Sequence, residues 1–138
     1  MFYRKVLLAR SLGSRDEELA FINELERVPE ARDARWRGRI FACRADYYAL
    51  VNRFDEAGEA ARAALEIHEA LSDVDGQVAD LCLLVSVATH LGSLSLAREH
   101  LAAAQKLAEA TGNPRLVADT LFAASSSALM LHDLTACV

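Results

Sequence analysis

The chain comes close to repeating itself at a fixed interval. Asn52-Arg53-Phe54-Asp55-Glu56-Ala57 lies over Gly92-Ser93-Leu94-Ser95-Leu96-Ala97 and then over His132-Asp133-Leu134-Thr135-Ala136-Cys137, each time at an offset of 40. In that register Ala57, Glu59, Ala63, Ala64, Glu69 and Ala70 recur as Ala97, Glu99, Ala103, Ala104, Glu109 and Ala110. Leu81, Ser86, Ala88, Leu91 and Leu94 recur as Leu121, Ser126, Ala128, Leu131 and Leu134. A period of this size constrains the fold strongly, because a short unit can bury its apolar face only against its neighbours. Such architectures present surfaces more than they carry out chemistry.

The unit reads as helical throughout, with no alternating apolar-polar segment that would suggest a strand. Trp36, Ile40, Cys43, Tyr47 and Val51 fall at helical spacing, as do Ala57, Ala61, Ala64, His68 and Leu71. Val78, Leu81, Val85 and Ala88 follow, then Ala97, Leu101, Ala104 and Ala108, then Leu121, Ala124, Ala128 and Leu131. Each stripe is the mark of a helix with one buried face. The breaks carry end signals: Ser14 with Glu17 as a capping box, Asp55 as a cap, Ser72-Asp73-Val74-Asp75-Gly76 as a turn, and Asn113 before Pro114. The spacing predicts helices over 2–12, 15–28, 34–52, 55–72, 76–91, 94–111 and 114–131. Alanines on one set of helices, facing Phe41, Tyr48, Leu81 and Leu84 on the other, predict close packing.

Composition sets the outer limits. With 138 residues, 53% hydrophobic and two prolines, the chain is one ordered, globular domain's worth. The net charge of −5 argues against nucleic acid as a partner. Charged residues number 25 in positions 1–69 and 10 in positions 70–138, so the second half is nearly bare of charge. It has no run long enough to cross a bilayer, and an apolar surface of that size calls for a cover. Cys43, Cys82 and Cys137 form no close pair, which suits a reducing compartment, and the N-terminus lacks a cleavable signal. The expected location is the cytoplasm.

The residues after each turn resemble a tetratricopeptide-type repeat in a long form. That family's unit is helix–turn–helix, with a large residue after the turn and a small one three positions later. Phe54 with Ala57, Leu94 with Ala97 and Leu134 with Cys137 match that pair; Gly92 matches the turn glycine, which Asn52 and His132 replace. The family's Trp and Leu-Gly hallmarks are weak here, and its late proline is absent or displaced. The resemblance implies an all-α fold, a right-handed α-solenoid of stacked antiparallel helix hairpins with about three repeats. The units would span 34–73, 74–113 and an incomplete 114–138, after a degenerate unit at 1–33. Both ends then fall inside a repeat, as in a piece of a longer protein.

If the family's geometry holds, first helices line a concave, apolar groove. It would comprise Arg39, Ala42, Asp46, Ala49 and Leu50, then Ala79, Cys82, Ser86, Thr89 and His90, then Asp119, Phe122, Ser126, Leu129 and Met130. Such a groove suits an apolar helix or peptide, unless neighbouring repeats or a twin chain fill it. The Lys/Asn set with which some family members clamp a peptide's terminal carboxylate is missing. Leu121, Phe122, Leu129, Met130 and Leu131 are too many large apolar residues for one helix face and predict self-association.

Sites of chemistry are not evident. Arg32, Arg35, Arg37, Arg39 and Arg44 cluster around Trp36, with Glu30, Asp33 and Asp46 at hand to pair with them. His68, His90, His100 and His132 lie apart with no metal-binding spacing, and Ser125, Ser126 and Ser127 have no nucleophile-elbow context. No cofactor, metal or catalytic set is expected. The resemblance points to a non-catalytic sensory, protein-interaction or oligomerisation module, of the kind placed ahead of output domains in bacterial signalling proteins such as diguanylate cyclases or transcriptional regulators. Its partners would be a protein or peptide, another copy, or further domains of the chain. The alternatives are a stand-alone adaptor binding an apolar helix and an enzyme with a site at His90, Cys82 and Asp119.

Overall fold

The computed structural model describes the backbone of residues 2–136 and the side chains of residues 4–29 and 32–129. Seven α-helices occupy the described residues: α1 Phe2–Ser11, α2 Arg15–Arg27, α3 Ala34–Leu50, α4 Phe54–Ala70, α5 Val74–His90, α6 Leu94–Thr111 and α7 Pro114–Ala136. A 3-10 turn, Pro29–Arg32, precedes α3. The helical periodicity therefore found its elements. Met130 and Leu131 lie outside the described side chains, although the backbone of α7 passes through them.

Several ends differ from expectation for local reasons. Asp73 caps α5 by accepting from the Gly76 N–H at 3.0 Å, which draws Val74, Asp75 and Gly76 into the helix. Ser14 stands at the N-cap of α2 without a side-chain cap bond, so the capping box is not formed. Asp55 lies inside the first turn of α4, where the N-cap is Arg53. Asn113 does cap α7, accepting from the Arg115 N–H at 3.0 Å. That helix runs on past the break expected at His132. Histidine lacks the ease with which glycine enters the left-handed region that such a turn requires.

The tight turns repeat in their backbone angles. Asn52 (φ 64°) follows α3 and Gly92 (φ 77°) follows α5, while Ser72 (φ 54°) follows α4 and Gly112 (φ 66°) follows α6, the members of each pair 40 residues apart. Short turns of one shape bring consecutive helices back against each other. Along α5 the order Val78, Leu81, Val85, Ala88 meets Ala108, Ala104, Ala97 of α6 in reverse, so the two run antiparallel. Across from α5, Leu116, Asp119 and Ser127 of α7 meet Val78, Cys82 and Thr89 in the same order, so α5 and α7 run parallel. α3 also touches α5, while α4 lies on α3 and α5, and α6 on α5 and α7.

Among the described residues four buried clusters hold this arrangement; Val78, Ala108 and Leu116 join α5, α6 and α7, and Val85, Ala88 and Ala97 join α5 and α6. Val6, Ile22, Leu25, Ile40, Cys43 and Tyr47 join α1, α2 and α3. Ala45, Ala60, Ala61, Leu81, Leu84 and Ala104 join α3, α4, α5 and α6. Small residues on one side pack against leucines on the other in this seam. Ala104 is fully buried in this seam. Ala104→Leu is expected to overpack it and cost about 1–3 kcal/mol. A thermal or denaturant melt matching the parent would contradict the packing described.

Candidate functional site: a groove between α3, α5 and α7

The parallel helices leave a cleft of about 420 Å³ lined by Asp46 of α3, by Ala79, Cys82, Leu83, Ser86 and Thr89 of α5, and by Asp119, Phe122, Ala123, Ser126 and Ser127 of α7. That volume lies within the range of ligand clefts, about 300–1,000 Å³. Of the residues expected to line a groove, Asp46, Cys82, Ser86, Thr89, Asp119, Phe122 and Ser126 come together here. Arg39 sits instead in an adjoining recess of about 190 Å³ that shares Asp46 and Ala79 with the cleft. Leu50 is exposed at the end of α3 and is not part of the lining.

His90 is turned away from the lining. Its ring stacks on Phe54 with centroids 4.2 Å apart, and its Nδ1 lies 2.8 Å from the Ser86 carbonyl oxygen. The period hides this, because the last turn of α5 passes the start of α4 and gives the imidazole an aromatic face to cover. Thr89 is buried: its hydroxyl donates to the Val85 carbonyl and shares a 2.7 Å hydrogen bond with the Ser127 hydroxyl. It ties α5 to α7 at the floor of the cleft.

Cys82 presents its sulfur to the cleft 4.0 Å from the Asp119 carbonyl oxygen. Burial, with the Asp119 carboxylate nearby, pushes its thiol up to about 11. Cys43 is likewise pushed up to about 11, chiefly by burial. Nucleophilic cysteines need the opposite shift. His90 is also absent from the cleft, so His90, Cys82 and Asp119 do not form a constellation.

The adjoining recess is the polar end, lined by Arg10, Arg39, Ala42, Cys43, Asp46, His68, Asp73, Gly76, Ala79 and Asp80. Arg10 Nε donates to Glu18 at 2.8 Å and its terminal nitrogen to Asp46 at 3.1 Å, while Arg15 also pairs with Glu18. Glu18 is fully buried, an outcome that its place in a polar first turn conceals. Burial pushes Arg10 down, but the hydrogen bond to Glu18 and the charges of Asp46 and Glu18 outweigh it and leave the guanidinium above its usual value. Burial raises the Asp46 carboxyl, against the pull of Arg10. In the arginine-rich segment Arg44 reaches Glu26 and Asn23, Arg39 lies over Trp36, and Arg32 and Arg37 line one recess with Glu26.

The pair His68 and Asp80 was not legible in the sequence. Both are buried, on α4 and α5, with Nδ1 and Oδ2 2.5 Å apart. The imidazole slots between two glycines: a Cβ on Gly38 would stand 2.9 Å from His68 Nε2, and one on Gly76 would stand 2.7 Å from its Cγ. The only signal for this slot is the glycine inside each of α3 and α5.

Among the described residues no group of three His, Cys, Asp or Glu side chains is placed to hold a metal ion, and no helix is long and apolar enough to cross a membrane. No family model, curated protein or solved structure matches the chain.

Burial lifts the Asp80 carboxyl from 3.8 to about 6, although His68 opposes the shift. Asp46 of α3 and Asp73 of the α5 cap add to the rise. A carboxyl raised in the folded state holds its proton there more firmly than in the unfolded chain. Its contribution to stability is therefore greatest below about pH 4 and is lost as the pH rises through about 6. Melting of the parent against Asp80→Asn across that window should show the parent losing ground with rising pH. A pH-independent difference would contradict it.

Proposed function

We propose that the chain is a non-catalytic interaction module, a right-handed α-solenoid of the tetratricopeptide type, whose α3–α5–α7 groove receives an apolar helix. The reading is supported by one observation above the rest: the cleft forms between helices that stand one sequence period apart. Turns separated by that period share the left-handed conformation, and Arg115 of α7 pairs with Asp75 of α5 across the same interval. The lining is mostly apolar with a few hydroxyls, as suits a helix that brings side chains at i, i+3 and i+4. The raised thiols and the displaced His90 supply no activated nucleophile or poised base, which favours binding over chemistry. In a cell such a module would serve as the regulatory or sensory part of a cytoplasmic signalling protein, ahead of an output domain such as a diguanylate cyclase or a DNA-binding regulator.

The test is a titration of isotope-labelled protein with a blocked, helix-forming peptide of leucine, alanine and lysine. Saturable binding should shift the amides of Cys82, Ser86, Phe122 and Ser126. Ser126→Trp, which fills the cleft from an exposed position, should weaken binding at least tenfold. Shifts scattered over the surface, or binding indifferent to Ser126→Trp, would contradict the proposal.

A further inference from the structure

Apolar side chains stand exposed outside the groove as well, Leu121, Phe122 and Leu129 of α7 among them. A second recess differs in combining apolar surface with cations that no carboxylate answers. It measures about 290 Å³ and is lined by Glu26 of α2, Arg32 of the 3-10 turn, and Arg37, Ile40 and Phe41 of α3. Arg37, Ile40 and Phe41 fall at i, i+3 and i+4, so they share one face of α3, and Arg44 continues it at i+7. Ile40 is buried and Phe41 half-buried, which makes the wall beside Arg37 apolar.

The charges of this recess do not cancel. Glu26 is the carboxylate of the lining, and it accepts from Arg44 Nε at 2.7 Å, while the same guanidinium donates to Asn23 at 2.8 Å. That leaves Arg32 and Arg37. Both are exposed, and neither takes part in an ion pair among the described residues. Asp33, between them in sequence, is engaged as the N-cap of α3, accepting from the Arg35 N–H at 3.0 Å. Residues 26–44 hold six arginines against three carboxylates, in a chain of net charge −5. A concave site lined by one sign of charge concentrates the counter-ion that it lacks.

We propose that this recess binds a phosphomonoester carried on an aromatic ring, with Arg32 and Arg37 on the phosphate and Ile40 and Phe41 against the ring. Charge selects the anion. Two unanswered guanidinium groups match the charge of about −1.5 to −2 that a phosphomonoester carries at pH 7, whereas a carboxylate would answer one of them. Donor geometry agrees, since each guanidinium offers paired N–H groups that fit phosphate oxygens. The uncovered part of Phe41 gives a ring to pack on. Size selects a small ligand, because the recess lies at the lower limit of ligand clefts, about 300–1,000 Å³. A free aryl phosphate and a phosphotyrosine side chain share this chemistry. The site is separate from the α3–α5–α7 groove, and the proposal stands whatever that groove binds.

Titration of the full chain with phenyl phosphate, followed by NMR, tests the proposal. Saturable 1:1 binding should shift the amides of Glu26, Arg32, Arg37, Ile40 and Phe41. Arg32→Gln and Arg37→Gln should each weaken binding at least tenfold. Arg35→Gln, which removes the same charge from an exposed arginine outside the lining, should change it less than twofold. Circular dichroism checks that each variant folds. Inorganic phosphate lacks the ring and benzoate lacks the second charge, so each should bind at least fivefold more weakly than phenyl phosphate. Affinity for phenyl phosphate should fall between pH 7.5 and pH 5, as the phosphate loses its second charge near a pKa of about 6. A blocked phosphotyrosine tripeptide that binds more tightly than phenyl phosphate assigns the ring to a protein partner, and one that binds more weakly assigns it to a free aryl phosphate. Titration without saturation, or equal losses in Arg35→Gln and Arg37→Gln, would overturn the site. Benzoate or inorganic phosphate bound as tightly as phenyl phosphate would overturn the ligand class.

Discussion

The arrangement depends on how closely the helices can approach at their alanines. Ala45, Ala61, Ala64, Ala104 and Ala108 are fully buried, where a longer side chain would push two axes apart. Methyl groups there let Leu81 and Leu84 interdigitate from α5, and α5 in turn becomes the helix that touches α3, α4, α6 and α7. The cleft follows from that centrality. α5 touches α3, α4, α6 and α7, and side chains of α3, α5 and α7 line the cleft.

Polar groups reinforce the apolar seams at points where register matters. Thr89 and Ser127 fix α7 along α5, and Asp75 with Arg115 marks the opposite end of the same contact. His68 binds Asp80 across α4 and α5 while lying against Gly38 of α3, so a single imidazole senses the placement of three helices. Glu18, held by Arg10 and Arg15, anchors α1 and α2, and Arg10 extends that network to Asp46 at the edge of the cleft. Removing one partner from such a buried set leaves a charge without compensation, which generally costs about 3–5 kcal/mol. The polar recess is thus the ion-paired end of the groove, and the α5–α7 cleft is its more apolar end.

The helices were legible because their signals are local. Stripes such as Val78, Leu81, Val85 and Ala88 declare a buried face within one element, and Asn113 before Pro114 declares its start. Helix ends governed by competing caps were less so: Asp73 captured the Gly76 N–H and lengthened α5 at the expense of the expected turn. Much of the cleft was legible too, because residues that recur at one period fall on equivalent faces. His90 broke the pattern through a non-local event, its stacking on Phe54. The burial of Glu18 and the pairing of His68 with Asp80 depend on partners supplied by other helices, and no periodicity within one chain segment encodes them.

The central claim is that α5 and α7 lie side by side, parallel and offset by about one period, and that this opens the groove. A cysteine pair tests it most directly. The hydroxyls of Thr89 and Ser127 stand 2.7 Å apart, so the two side chains meet and cysteines at these positions come within reach of each other. In a chain with Cys43, Cys82 and Cys137 changed to alanine, Thr89→Cys with Ser127→Cys should oxidise readily to an intramolecular bridge, detected by mass spectrometry of the monomer. Free thiols after mild oxidation of the folded protein, or bridges formed only between chains, would contradict the placement of α7 and with it the groove.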